Sequence, residues 1–225
     1  SELIPDDEKL EITAISENAL YYFDRKELKN KLVLIEDLDG ANDDKVLFAI
    51  RELQSKRRIS KTIPIKDNKG NLKTITLQVE GPISLAGTTT RERLYEDNAN
   101  RSLLIYLDNS KEHREQILAY QRALSAGKIN RDEEEITRQK LQDVQSVLKP
   151  IKVINPFAEM LILPDSVFKP LRTNSHYLHF IETITFYHQW QRPHRINEQT
   201  GETYIETTIE DIEAANTLLK DVLLT

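Results

Sequence analysis

The chain has 225 residues, 39% of them hydrophobic and 30% charged, a composition that folds and is long enough for one large domain or two small ones. Its net charge of −6 argues against nucleic-acid contact by the whole surface, so any such contact needs a local basic patch. There is no cysteine for a disulfide or thiolate metal site, which fits a cytoplasmic protein, and no apolar run approaches the roughly 18–20 residues of a membrane helix.

The opening Ser1-Glu2-Leu3-Ile4-Pro5 carries neither a methionine nor a secretory leader and reads as an internal segment of a longer soluble polypeptide. A short strand is expected over 10–15. The continuous apolar run Leu32-Val33-Leu34-Ile35, ended by Glu36-Asp37-Leu38-Asp39-Gly40, has the pattern of a strand buried on both faces. Asn42 is placed to cap the next helix, with Asp43 and Asp44 in its first turn, where the helix dipole favours acids. That helix should run to about Ser55, burying Val46, Ala49, Ile50 and Leu53.

Between 58 and 80 the hydrophobic period falls to two on either side of Asp67-Asn68-Lys69-Gly70-Asn71, which predicts a β-hairpin. Pro64 lacks an N–H and so confines its strand to an edge. Two more short core strands are expected at 83–87 and 103–107. Helices are expected at 112–126, 132–148, 175–191 and 209–223, the last capped by Thr208. The fold class is therefore α/β: an α/β layer with a protruding hairpin over 1–110, a helical and irregular connection over 111–170, and a helical region over 171–225.

Glu36 and Asp37 stand where phosphoanhydride-hydrolysing sites present carboxylates, one helping to hold Mg²⁺ and its neighbour polarising the attacking water. A solvated strand-to-helix loop would carry the same residue types. The order of elements adds to this. Apolar strand with acids, helix, basic hairpin, polar-ended strand and an arginine before another apolar strand resembles the ATPase core of minichromosome maintenance helicases and their AAA+ relatives with a pre-sensor 1 hairpin. In that resemblance Leu32 to Gly40 is similar to the Walker B segment, and Leu85-Ala86-Gly87-Thr88-Thr89-Thr90-Arg91 to the sensor 1 strand.

The resemblance covers about residues 31–108 well and the last third loosely. It implies a partial AAA+ P-loop NTPase core followed by a helical lid, with ATP and Mg²⁺ as cofactors of an oligomer. It assigns Mg²⁺ positioning to Glu36, water orientation to Asp37 and γ-phosphate sensing to Thr89, with Thr88 or Thr90 as register alternatives. It gives the arginine-finger place to Arg101 and the sensor 2 place to Arg172. Two departures stand out. The family order is Asp then Glu, the reverse of Glu36-Asp37, and no G-x-x-x-x-G-K-[S/T] loop occurs in the chain. The missing loop is expected upstream of Ser1, and the chain alone is expected to be inactive.

Eight basic and two acidic residues fall between Arg51 and Lys73, a local charge of +6 in a chain of −6. Arg57, Arg58, Lys61, Lys66, Lys69 and Lys73 are the candidate contacts to single-stranded DNA through its phosphates. The hairpin has no aromatic series of its own, so base stacking is not expected as its main mode. Edge lysines that prevent aggregation would look the same. His176, His179 and Glu182 share a helical face but match no metal motif, and Tyr177, Tyr187 and Trp190 read as core. Three functions fit: a DNA helicase or primase–helicase motor of replication, a non-catalytic DNA-binding or assembly module on the same scaffold, and an AAA+ protein-remodelling ATPase.

Overall fold

The computed structural model describes residues 2–38, 44–66, 70–90, 102–164, 167 and 169–223. Leu32–Ile35 is the strand its apolar run predicts. It is the middle of three parallel strands, β1 (Lys9–Ile12), β2 (Leu32–Ile35) and β5 (Ser84–Gly87), in the order β1-β2-β5. The register pairs Ile12 with Ile35 and Ile35 with Gly87, so the three strands end level. Parallel strands need crossovers. The first crossover carries a 3-10 turn, Ala19–Tyr22, and buries Leu20 and Leu28. The second carries helix α1 (Asp44–Ser55) and the hairpin β3 (Arg58–Lys66) and β4 (Leu72–Glu80).

α1 packs as its periodicity requires, with Val46, Ala49, Ile50 and Leu53 all buried in one cluster with Val33 and Ile35. Ile59 and Val79, paired at the hairpin base, and Ile83 join the same core. Farther out the hairpin leaves that core, and Leu72 near its end is exposed. β3 and β4 form a two-stranded sheet of their own, so Pro64 lies on an edge strand by construction of the sheet. Thr62 and Thr76 face each other across it, hydroxyl to hydroxyl at 3.1 Å. The base is tied down twice: Glu80 N–H donates to the Arg25 carbonyl at 2.7 Å, and Gly81 N–H to the Arg57 carbonyl at 2.8 Å. Asn42, Asp43 and the turn residues 67–69 lie outside the described residues.

The predicted strand at 103–107 is not formed. Leu103, Leu104, Ile105, Tyr106 and Leu107 are all exposed and pair with no strand among the described residues, Leu107 being 88% accessible. A continuous apolar run supplies a strand's side chains but not the neighbouring backbone that would hold it. Helices α2 (Lys111–Ser125) and α3 (Arg131–Ser146) follow, and neither buries a residue. Ser110 caps α2, its Oγ accepting the His113 N–H at 3.1 Å.

The chain forms two compact units, Ser1–Asn98 with Glu135–Gln145, and Ala99–Glu134 with Ser146–Thr225. The second is built on α4 (Pro170–Tyr187) and α5 (Ile209–Leu223), which enclose Tyr177, Ile181, Ile212, Ala215 and Leu219. Beside them lies a three-stranded sheet, β6 (Lys152–Ile154), β8 (Thr203–Glu206) and β7 (Arg195–Ile196), with β6 parallel and β7 antiparallel to β8. α4 starts five residues before its predicted start because Pro170 occupies its first turn, where a missing N–H costs no helical bond.

Candidate functional site

Because the three parallel strands end level, the residue after each forms a row across their carboxyl ends: Thr13 after β1, Glu36 after β2 and Thr88 after β5. The Thr13 hydroxyl donates to the Glu36 carboxylate at 3.2 Å, and the Thr88 hydroxyl donates to the Glu36 carbonyl. Backbone bonds fix the same seam. Glu36 N–H reaches the Ile12 carbonyl at 3.0 Å, Thr88 N–H the Ile35 carbonyl at 3.3 Å, and Leu38 N–H the Thr88 carbonyl at 3.0 Å. Carboxyl ends of parallel strands are where open α/β sheets bind ligands.

Glu36 and Asp37 are both exposed there, and Thr89 is half-buried one residue beyond the row. The ligand atoms on offer are carboxylate, hydroxyl and carbonyl oxygens, the donor set that suits Mg²⁺. Glu36 is the residue whose carboxylate could take part in holding such an ion. No glycine-rich turn follows β1, whose next residues are Thr13-Ala14-Ile15-Ser16, so this part of the sheet offers carboxylates without a phosphate cradle. Gly87 ends β5 for a packing reason. A Cβ there would lie 2.7 Å from the Leu38 side chain and 3.0 Å from the Ile35 carbonyl. Arg101 lies outside the described residues. Arg172 is exposed in the first turn of α4, in the second unit. Thr13 was not legible as a site residue, because nothing before the strand register connects it to Glu36.

The hairpin's cations do not form one surface. Strand alternation puts Arg58 and Lys66 on one face, and Lys61 on the other with Ile59, Ile63 and Ile65. Lys73, paired with Ile65, belongs to the Lys61 face. Lys69 is outside the described residues. Arg57 sits between α1 and β3 at φ +59°, a left-handed conformation more usual for glycine.

The aromatic partners missing from the hairpin sequence come from other segments. Lys61 Nζ lies 5.5 Å from the Tyr21 ring centroid and bonds Asn18 Oδ1. Arg51 Cζ lies 6.0 Å from the Phe48 ring centroid.

In the second unit, Asp211 is the one buried charged side chain among the described residues. Burial alone would raise its carboxyl pKa. The Thr208 N–H at 3.0 Å, the Arg192 guanidinium at 2.6 Å and the Thr185 hydroxyl at 3.1 Å outweigh that and hold it below the usual range. Trp190, expected in the core, is 51% exposed with Lys149 Nζ 5.6 Å from its ring centroid, at the edge of a cleft of about 620 Å³. Tyr187 is also exposed, whereas Tyr177 is buried and donates to Asn216 Oδ1 at 2.7 Å. The His179 ring lies 3.3 Å from the Ser175 hydroxyl, and among the described residues no three His, Asp or Glu side chains converge as a metal site. No helix among the described residues is long and apolar enough to cross a membrane.

No curated protein matches this sequence. A family model described as the MTBMA_p00010 P-loop domain matches residues 1–149, a span that holds the parallel sheet, the Glu36 row and the hairpin. The sequence motif from which P-loop domains take their name is not within the 225 residues. With α/β architecture and a parallel sheet to go with that match, the chain belongs to the MTBMA_p00010 P-loop domain family.

Proposed function

We propose that this chain is the hydrolytic part of an ATP-driven motor that acts as an oligomer on single-stranded DNA, a helicase or primase–helicase of replication. The observation that carries the reading is Glu36 held between Thr13 and Thr88 at the level ends of three parallel strands, with a basic hairpin rooted in the same core. In this reading Glu36 positions Mg²⁺, and Asp37 takes up a proton of the attacking water and orients it. Thr89 donates to the γ-phosphate region. Arg172, and Arg101 toward a neighbouring subunit's site, offset developing negative charge. Bound Mg-ATP would supply the phosphoanhydride and the charge neutralisation of its phosphates. The inverted order of the acids makes Asp37 about one methylene shorter than the family's glutamate.

The test is phosphate release by the complete gene product with Mg-ATP and single-stranded DNA. Asp37→Asn should lower turnover by about 100-fold or more, the scale of a lost general base, and Glu36→Gln should remove most turnover and weaken Mg²⁺-dependent binding. Full turnover in both variants would overturn the assignment. The lack of a phosphate-binding glycine motif favours, as second reading, a non-catalytic DNA-binding module. DNA binding by a complete product that releases no phosphate would select it.

A further inference from the structure

Beside the hairpin root, the 3-10 turn Ala19–Tyr22, the exposed side of α1 and β3 enclose a cleft of about 500 Å³, within the roughly 300–1,000 Å³ of small-ligand sites. Tyr21 and Phe48 supply its rings. Phe48 is 50% exposed on a helix whose opposite side fills the core. Lys45, Arg51 and Lys61 supply three cations against one carboxylate, Glu17, which is paired with Lys45. In an acidic chain, this cleft is basic and aromatic at once.

We infer that the cleft takes a nucleotide of single-stranded nucleic acid. The base stacks against Phe48 with Tyr21 opposite, and Arg51 and Lys61 face the flanking phosphates. The inference rests on the DNA partner of the proposed function and gives the strand a stacking site that the hairpin itself lacks. Stacked bases with cations alongside are the usual means of sequence-tolerant single-strand binding. Lys61 belongs to both the cleft and the hairpin, so a strand leaving the cleft passes onto the hairpin face that carries Lys73.

The experiment measures fluorescence anisotropy of labelled oligothymidylate of about 20 nucleotides, longer than the roughly 4–16 of one site, with the 225-residue chain over a salt series. Phe48→Ala should weaken binding about 5- to 100-fold with an unchanged salt slope, and Phe48→Trp should restore it. An abasic strand of equal length should bind the wild type as weakly as Phe48→Ala binds oligothymidylate, and should not respond to Phe48→Ala. Arg51→Gln should flatten the slope of log affinity against log salt by about 0.7, one single-strand phosphate. Equal binding of both strands by wild type and Phe48→Ala overturns the inference. So does polyglutamate that competes with the same Phe48 dependence, which would make the cleft an acidic-peptide site. If Lys73→Ala weakens binding and Phe48→Ala does not, the cleft falls and the hairpin reading stands. No binding of oligothymidylate at low salt removes both.

Discussion

The hydroxyl of Thr88 is bonded to the backbone carbonyl of Glu36, so the residue that follows β5 holds the residue that follows β2. The Leu38 N–H returns the link by donating to the Thr88 carbonyl at 3.0 Å, which closes a small ring of bonds around the base of the carboxylate pair. The side chain that orients Glu36 is thus not acidic or basic, and its role lies in where it points the backbone.

Thr88→Val keeps the shape of that side chain and removes its donor. Unfolding free energy should fall by about 1 kcal/mol, the net worth of one hydrogen bond. The Leu38 amide should exchange with solvent faster than in the wild type. Denaturant titration and amide exchange check the two outcomes. Unchanged Leu38 protection would mean that the Thr88 hydroxyl does not hold the seam.

The opposed faces of the hairpin make its lysines unequal. A strand lying along the Lys61 face meets Lys73 and leaves Lys66 pointing away. Lys73→Ala should flatten the salt dependence of oligonucleotide binding by about 0.7, and Lys66→Ala should leave the slope unchanged within error. The reverse result would place the strand on the Arg58 and Lys66 face.

Asp211 gives the second unit an acid limit. Its folded carboxyl titrates below the unfolded value of about 4, so the stability it contributes is present above pH ~4 and is lost as pH falls through the folded value. Asp211→Asn should lower stability at neutral pH by roughly 2 kcal/mol, because the bond to Arg192 loses its charge. It should also flatten the decline below pH ~4. Circular dichroism melts from pH 7 to 3 on both proteins check the sign.

Gly81→Ala should be costly despite its small size. The added Cβ would lie 2.7 Å from the Leu53 carbonyl oxygen, a backbone atom at the end of α1 that cannot swing aside. A loss of about 1–3 kcal/mol is expected from overpacking, read as a lower denaturation midpoint with an unchanged slope.

β2 was legible because four apolar residues ended abruptly in acids, and α1 because Val46, Ala49, Ile50 and Leu53 fall on one helical face. The hairpin was legible from its period of two. Residues 103–107 carry the same kind of apolar signal as β2, yet pair with no described strand, since a strand also requires a neighbour that its own sequence does not specify. The carboxylates could be picked out from the chain, and Thr88 stood among the register alternatives for the strand after the hairpin, but the other companions could not. Thr13 reaches Glu36 through register, and Tyr21, Phe48 and Lys61 come together only when two crossovers pack on one core. Trp190 was misread because its helical spacing, which continues that of α4, outlasts the helix by one 3-10 turn, Gln189–Gln191, that turns its ring outward.

Nine paired positions, from Arg58 with Glu80 to Lys66 with Leu72, make the hairpin a rod of roughly 25–30 Å at about 3.3 Å per residue. Its root is Ile59 and Val79, packed in the cluster that also contains Val33 and Ile35 of the carboxylate strand. Such a rod is a lever with a short arm in the core and a long arm in solvent. A tilt of about 5° at Ile59 would sweep Lys66, about 23 Å away at about 3.3 Å per residue, through about 2 Å. A small change of angle at the root is thereby geared up into a larger displacement at the far end.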